Sequence, residues 1–241
     1  VENLPVLWQE LEAVLARIGR PAEVLFVDDG STDGSVDVLR ELARRDRRIR
    51  VIRFAANTGL TAALLAGIRA ATGAIIVTLD SDLQNDPADI ATLLDHLDGH
   101  DAAIGWRRRR HDPWLKRISS RIANAVRTAV LGDAVRDSAC TLRAMRRECR
   151  DVLAPYHGLH RFVPTLLRHA GFRVVEVAVN HRPRRHGQSK FGVRNRAVRA
   201  FADLLAVRWL MSRRISYTVV EELRAPTDPP PKSPPPRPAP P

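Results

Sequence analysis

The chain reads as an α/β protein on a mostly parallel sheet, and three observations carry that reading. Short apolar runs alternate with helical patterns over residues 1–104, two of those runs end in acidic loops, and one is apolar on both faces. Leu4, Leu7, Leu11, Val14, Leu15 and Ile18 recur at helical spacing, with Asn3 placed to cap them. Glu23–Val27 predicts a strand running into Asp28-Asp29-Gly30. Ser31-Thr32-Asp33 can cap the next helix, Gly34–Arg45, whose Val36, Leu39 and Leu42 share a face. Arg50–Phe54 predicts a strand, and Leu60–Ala71 a helix after Asn57-Thr58-Gly59. Ala74–Leu79 is almost wholly apolar, as a parallel strand covered on both faces must be. Asp86-Pro87-Ala88-Asp89 offers a cap, a first-turn proline and an acidic residue to a further helix, and Asp101–Trp106 predicts another strand.

Beyond residue 106 the alternation stops. Pro113–Val130 predicts a basic amphipathic helix, Arg143–Leu153 and Phe162–Ala170 two more helices, Phe172–Val179 a strand, and Arg194–Met211 a second basic helix. Residues 226–241 hold ten of the 17 prolines, so 216–241 is expected to be a disordered or polyproline-like tail behind one domain spanning 1–215. Two cysteines, Cys140 and Cys149, exclude a disulfide framework or a zinc cluster as the organising principle. No charge-free apolar stretch approaches the ~20 residues a bilayer span needs. Nothing at the start resembles a signal peptide, and a reducing cytoplasm is the expected setting. Charge divides the domain. Residues 1–104 carry 10 Arg against 17 Asp and Glu, a net of −7, which leaves +19 for residues 105–241 of a chain at +12 overall. The basic half calls for a polyanion: nucleic acid, anionic lipid or a phosphorylated substrate.

The acidic loops carry the chemistry. In Thr78-Leu79-Asp80-Ser81-Asp82-Leu83-Gln84 two carboxylates one residue apart follow the apolar strand. Asp oxygens are hard ligands suited to Mg²⁺ or Mn²⁺, and Gln84 adds a neutral oxygen, so Asp80, Asp82 and Gln84 are the candidate metal ligands. Val27-Asp28-Asp29-Gly30-Ser31-Thr32-Asp33-Gly34-Ser35 also leaves a buried strand and opens a helix, and its carboxylates can accept from ribose hydroxyls or a base edge. Two acidic loops at neighbouring strand ends suit a metal-bound nucleotide, since ligands of open α/β sheets sit at the carboxyl ends of strands.

These residues resemble the family-2 glycosyltransferases of the GT-A fold, and within them the polyprenyl-phosphate branch. Both acidic motifs match, as do Asn57-Thr58-Gly59, Gly105-Trp106-Arg107, Asp137-Ser138-Ala139-Cys140-Thr141-Leu142-Arg143 and Arg184-Arg185-His186-Gly187-Gln188-Ser189-Lys190-Phe191, in family order. The resemblance implies a three-layer sandwich with a nucleotide-sugar-binding half, 1–104, and an acceptor-binding half, 105–215. The family's first strand, ending Pro-x-Tyr-Asn-Glu, is expected to be missing here. The resemblance further implies that Val27 and Asp29 contact the nucleoside. It assigns the sugar-nucleotide diphosphate and its divalent cation to Asp80, Ser81, Asp82 and Gln84. Arg107, Arg184 and Lys190 hold phosphates or close over the site, with Arg143 a weaker correspondence. The implied reaction moves a sugar from a UDP- or GDP-linked donor to a polyprenyl phosphate, with inversion, at the inner face of the plasma membrane. No nucleic acid is expected as partner; a soluble or cell-envelope polysaccharide acceptor is the alternative. Chemistry agrees on one point without the family: a phosphate monoester, with a second pKa of about 6, needs positioning and charge neutralisation more than deprotonation, and Arg forks supply both.

Overall fold

The computed structural model describes residues 1–108, 125–133, 135–183, 194–215 and 221. Arg184, Lys190, most of the basic helix read at Pro113–Val130, and the Pro-rich tail apart from Glu221 lie outside the described residues.

Helix α1 (Asn3–Ile18) buries Leu4, Leu7, Trp8, Leu11 and Val14 at intervals of three and four, the period that puts one stripe on the core. Asn3 is its first helical residue rather than its cap, because the Leu4 N–H bonds the Val1 carbonyl at 3.2 Å and draws the backbone into the helix one residue earlier. Strand β1 (Val24–Asp28), helix α2 (Ser35–Arg45) and strand β2 (Ile49–Arg53) form a βαβ unit, with β1 and β2 parallel and Val24 opposite Ile49. Helix α3 (Leu60–Ala70), strand β3 (Ile75–Thr78), helix α4 (Asp89–Asp95) and strand β4 (Ala102–Arg107) complete the alternating half.

Arg143–Leu153 is not the single helix expected. Arg143–Arg146 is strand β5, and only Arg147–Val152 turns, as a 3-10 helix. Arg-Ala-Met-Arg-Arg-Glu is a run of good helix formers, but β5 enters between β3 and β4 and hydrogen-bonds both, so tertiary pairing overrides propensity. Helix α5 (Val163–His169), strand β6 (Val174–Val179) and helix α6 (Arg194–Ser212) close the fold.

The larger sheet has the order β3-β5-β4-β6, and β1 with β2 forms a separate parallel pair. Both sheets share one core: Phe26 and Ile49 pack in the same cluster as Ala103, Ala144, Val177 and Val179, beneath Leu7, Leu11 and Leu93 of the helices. The opposite face of the larger sheet, Ile76, Ile104 and Met145, packs on Leu65 and Ile68 of α3 and on Val163 and Leu167 of α5. Helices therefore cover the sheet on both sides. The register has a functional consequence. β5 is antiparallel to β3 and to β4, and β4 is parallel to β6, so β3, β4 and β6 all point one way. Their carboxyl ends and the start of β5 meet at one edge, which gathers the residues after Thr78, Arg107 and Arg143.

Gly30 shows how tightly the first acidic loop is packed. At φ 71° it lies in the left-handed region, and a Cβ there would sit 2.7 Å from the Ala56 carbonyl carbon and 2.8 Å from the Asn57 nitrogen. Gly19 has a similar φ of 67° with open space around it. An alanine at either position meets the left-handed cost of about 1–2 kcal/mol. Gly19→Ala should lose about that much by denaturant unfolding and Gly30→Ala at least about 1 kcal/mol more, because Ala56 and Asn57 offer backbone, not a flexible side chain. Equal losses would show that the loops at 30 and 56 are not in contact.

Candidate active site

Asp28 and Asp29 leave β1 in different directions and do different work. Asp28 is buried; its Oδ2 accepts the Ser31 N–H at 3.2 Å and lies 3.9 Å from Arg53 Nε. Asp29 reaches across to the Asn57-Thr58-Gly59 loop. Its carboxylate accepts the Thr58 N–H at 2.6 Å, the Gly59 N–H at 2.8 Å and Asn57 Nδ2 at 2.9 Å. The two motifs are thus one unit, and Asp29, expected to face a nucleoside, spends its oxygens bracing the loop before α3. Val27 lies against Gly67 of α3, whose missing side chain leaves room for its methyl. Asp33 accepts the Ser35 N–H at 3.1 Å at the head of α2, and the Ser35 hydrogen bonds hold its carboxyl down to about 2.

The second acidic loop hangs from Thr141. Thr78 Oγ1 donates to the Thr141 carbonyl at 2.6 Å, Asn85 Nδ2 donates to Thr141 Oγ1 at 3.2 Å, and the Thr141 side chain hydrogen-bonds Asp80. Ser81 is exposed, and Asp82 Oδ1 accepts the Gln84 N–H at 3.1 Å. Between them Leu83 has φ 62°, the one positive φ of a residue other than glycine among the described residues, and it is 1% exposed. The far side of the loop is tied to the end of β6. The Gln84 carbonyl accepts the Arg182 N–H at 2.9 Å, Arg182 bridges Asp86 at 2.7 Å and Glu10 at 2.6 Å, and Asp89 accepts both the backbone N–H (2.7 Å) and Nδ2 (3.0 Å) of Asn180.

Arg107 ends β4 in a two-point clamp with Asp137. Its Nε donates to Oδ2 at 2.7 Å and its Nη2 to Oδ1 at 3.0 Å, while its own N–H reaches Oδ2 at 3.2 Å. Arg143, at the start of β5, is 1% exposed and donates through Nη2 to the carbonyls of His160 (2.8 Å) and Ser138 (3.3 Å). Its Nε has no hydrogen-bond partner among the described residues. Burial pulls the guanidinium down to about 10, against the attraction of neighbours including Asp80 and Asp137, so it stays a cation near neutrality. Asp80 feels the reverse: burial and then the nearby Asp82 charge push its carboxyl above the ordinary carboxylate value, while Thr141, Arg143 and Arg107 oppose them.

Asp80, Asp82, Arg107 and Arg143 are therefore brought together, with Gln84 in the adjoining turn. Asp29 is engaged with the 57–59 loop. Arg184 and Lys190 lie outside the described residues. Two contributors had no role from the sequence: Asp137, which orients Arg107, and Thr141, on which the second acidic loop hangs. Both sit in the Asp137–Arg143 motif, and the available signal was an acidic residue six positions before an arginine that no helix face needs. In this cluster three carboxylates face two guanidinium groups, which leaves room for a cation.

Residues 2–153 match the family model described as glycosyl transferase family 2. The chain belongs to that family. It is 34% identical over 194 residues to undecaprenyl-phosphate 4-deoxy-4-formamido-L-arabinose transferase of Edwardsiella ictaluri, over 80% of this chain and 60% of that protein. It is 36% identical over 218 residues to dodecaprenyl-phosphate galacturonate synthase of Rhizobium johnstonii, over 87% and 64%. The chain thus spans about three fifths of the length of these family-2 relatives. Its fold, the GT-A fold, is shared with glucosyl-3-phosphoglycerate synthase of Mycobacterium tuberculosis, solved with Mn²⁺, UDP and glucosyl-3-phosphoglycerate: TM-score 0.56, 19% identity, 78% of this chain and 68% of that one.

The Asp80 environment has a measurable sign. A carboxyl whose folded pKa exceeds its unfolded value adds stability below the unfolded value and loses it as pH rises through the folded one. Asp80→Asn escapes that loss. In chelator, the variant should melt a few degrees above the wild type at pH 7.5, with the gap closing toward pH 4. A wild type that melts above the variant at pH 7.5 would show that Asp80 is not under this strain.

Proposed function

We propose that this family-2 glycosyltransferase moves a sugar from a UDP- or GDP-linked donor to a polyprenyl phosphate. The observation that carries the reading is the meeting of the Asp80 and Asp82 carboxylates with the Arg107–Asp137 clamp and buried Arg143 at one sheet edge. The relatives named for undecaprenyl and dodecaprenyl phosphate support the acceptor.

The donor set fits a divalent cation shared with substrate. Among the described residues no three His, Cys, Asp or Glu side chains gather into a metal cage. Magnesium-type ions are commonly held by one or two carboxylates plus substrate phosphates and waters, and Asp80, Asp82 and the Gln84 oxygen match that pattern. Bound there, Mg²⁺ or Mn²⁺ would stabilise the negative charge that gathers on the departing nucleoside diphosphate. The protein's own groups do the remainder. Val27 and the loop braced by Asp29 line the nucleoside side. Arg107, held in one orientation by Asp137, brings its positive charge toward phosphate oxygens; Arg143 supplies further positive charge; Arg184 and Lys190 add cations from the acceptor half. The acceptor phosphate arrives already ionised, so no general base is required. Attack opposite the leaving group inverts the anomeric centre.

No described helix is long and apolar enough to cross a membrane. Peripheral contact is the reading that α6 supports. Phe201, Leu205 and Trp209, at intervals of four, are 51%, 49% and 59% exposed, and Arg208, Arg213 and Arg214 lie among or just beyond them. An apolar stripe beside arginines suits an anionic lipid surface.

Full-length protein incubated with a panel of nucleotide sugars and undecaprenyl phosphate should yield glycosylated lipid only with Mg²⁺ or Mn²⁺ present. Asp82→Ala should lower the rate at least about 100-fold with an unchanged melting temperature, the scale expected when a group that organises transition-state charge is removed. Undiminished turnover in excess chelator would defeat the cation assignment, and undiminished turnover of Asp82→Ala the site itself.

A further inference from the structure

The second acidic loop is gripped by the three residues that follow β6. Asn180 donates to Asp89 through its backbone N–H (2.7 Å) and Nδ2 (3.0 Å), His181 forms an antiparallel bridge with Asn85, and the Arg182 N–H donates to the Gln84 carbonyl at 2.9 Å. The Arg182 guanidinium then forks: Nη2 lies 2.7 Å from Asp86 Oδ1, and Nη1 lies 2.6 Å from Glu10 Oε2. Residues 84, 85, 86 and 89 are thus each held from the end of one strand. Glu10 ties the same arginine to α1, whose Leu7 and Leu11 are sunk in the core.

Stability alone does not account for the fork. The Arg182 and Glu10 side chains are 30% and 26% exposed, and ion pairs open to water contribute little to folding. What the fork fixes is direction. Gln84 has its backbone held on both sides, its N–H by Asp82 Oδ1 at 3.1 Å and its carbonyl by Arg182. Asp86, two residues on, accepts from Arg182 and from the Ala88 N–H (2.9 Å) at the head of α4. Pro183 restricts the residue before it to extended backbone, so the guanidinium reaches out from a fixed point.

We propose that Arg182 is a positioning residue for the candidate cation site, acting through Gln84 and Asp86 to hold the directions in which the loop presents Asp82 and Gln84. The inference rests on the cation reading above. Groups that orient a metal's ligands commonly govern its affinity about tenfold to a hundredfold, because a displaced ligand must be ordered again each time the ion binds. Arg182 acts one step further out, so its effect is smaller. Its charge gives the idea a sharp sign. Taking a positive charge from the neighbourhood of a cation strengthens binding by Coulomb attraction, whereas losing the ligands' positions weakens it.

Mn²⁺ alone, titrated into the full chain with the free ion read by electron paramagnetic resonance, should bind the wild type saturably and Asp82→Ala at least about tenfold more weakly. Arg182→Gln should weaken binding at least about threefold although it removes a positive charge. Arg40→Gln, which removes the same charge from an exposed pair with Asp37 on α2, should not weaken it. Amide hydrogen exchange supplies a readout without metal: in Arg182→Gln, residues 83–86 should exchange at least about fivefold faster, with 102–107 unchanged. Unchanged or tighter Mn²⁺ binding by Arg182→Gln, or unchanged exchange at 83–86, would overturn the proposal. So would faster exchange throughout the fold, which would make Arg182 a stabilising residue only. A wild type that fails to bind Mn²⁺, or an Asp82→Ala that binds it undiminished, would overturn the cation reading and this proposal with it. Loss in Asp82→Ala without loss in Arg182→Gln overturns this proposal alone.

Discussion

A half-buried carboxylate beside a second carboxylate is the arrangement on which the rest of this site depends. Asp80 could lower its energy by moving outward, and the surrounding structure prevents it. Thr141 holds the loop at three points, Arg143 sits behind it with almost no exposure, and Asp82 follows two residues later. Isolated buried charge costs several kcal/mol unless partners compensate. Arg107 and Arg143 compensate partly, and Asp137 draws on the same two cations. That shortfall is the electrostatic ground for the proposed divalent ion.

That geometry needs an antiparallel strand in an otherwise parallel arrangement. A parallel β5 would bring its carboxyl end, Arg146, to the site edge and send Arg143 to the opposite end of the sheet. Antiparallel pairing with β3 and β4 instead delivers the amino end of β5 and the loop before it, so Asp137, Cys140, Thr141 and Arg143 all arrive from one short segment. Cys140 and Cys149 are buried, and burial raises both thiols, which suits packing rather than nucleophilic work.

How much of this could be read from residues alone follows from the range of the forces involved. The alternating half was legible because its signals are local: helical spacing in Leu4–Ile18, an apolar run closing on Asp80, and an Asp-Pro turn before α4, although Ala88 and not Asp86 stands at the helix start. The pairing of Asp29 with Asn57–Gly59 spans 28 to 30 residues of sequence and leaves no periodic trace. β5 was misread as helix because Arg, Ala, Met and Glu favour helix in isolation, and only two neighbouring strands reverse that preference. Asp137 and Thr141 stayed without a role for the same reason. Their chemistry exists only once β4 and β5 lie side by side.

Leu83 completes the argument from forces. Its left-handed backbone costs about 1–2 kcal/mol, and a glycine would remove that cost. A glycine would also remove the side chain that is buried almost completely in the core, and burying a leucine contributes roughly 1.5–3 kcal/mol. The anchor therefore offsets the strain. What the leucine adds beyond that balance is rigidity: a turn pinned from beneath cannot swing, so Asp82 before it and Gln84 after it keep their directions whether or not a donor is bound. The proposed cation site, with two carboxylates and an amide among the described residues, would depend on such fixed directions, because so few protein ligands would not by themselves enforce its geometry.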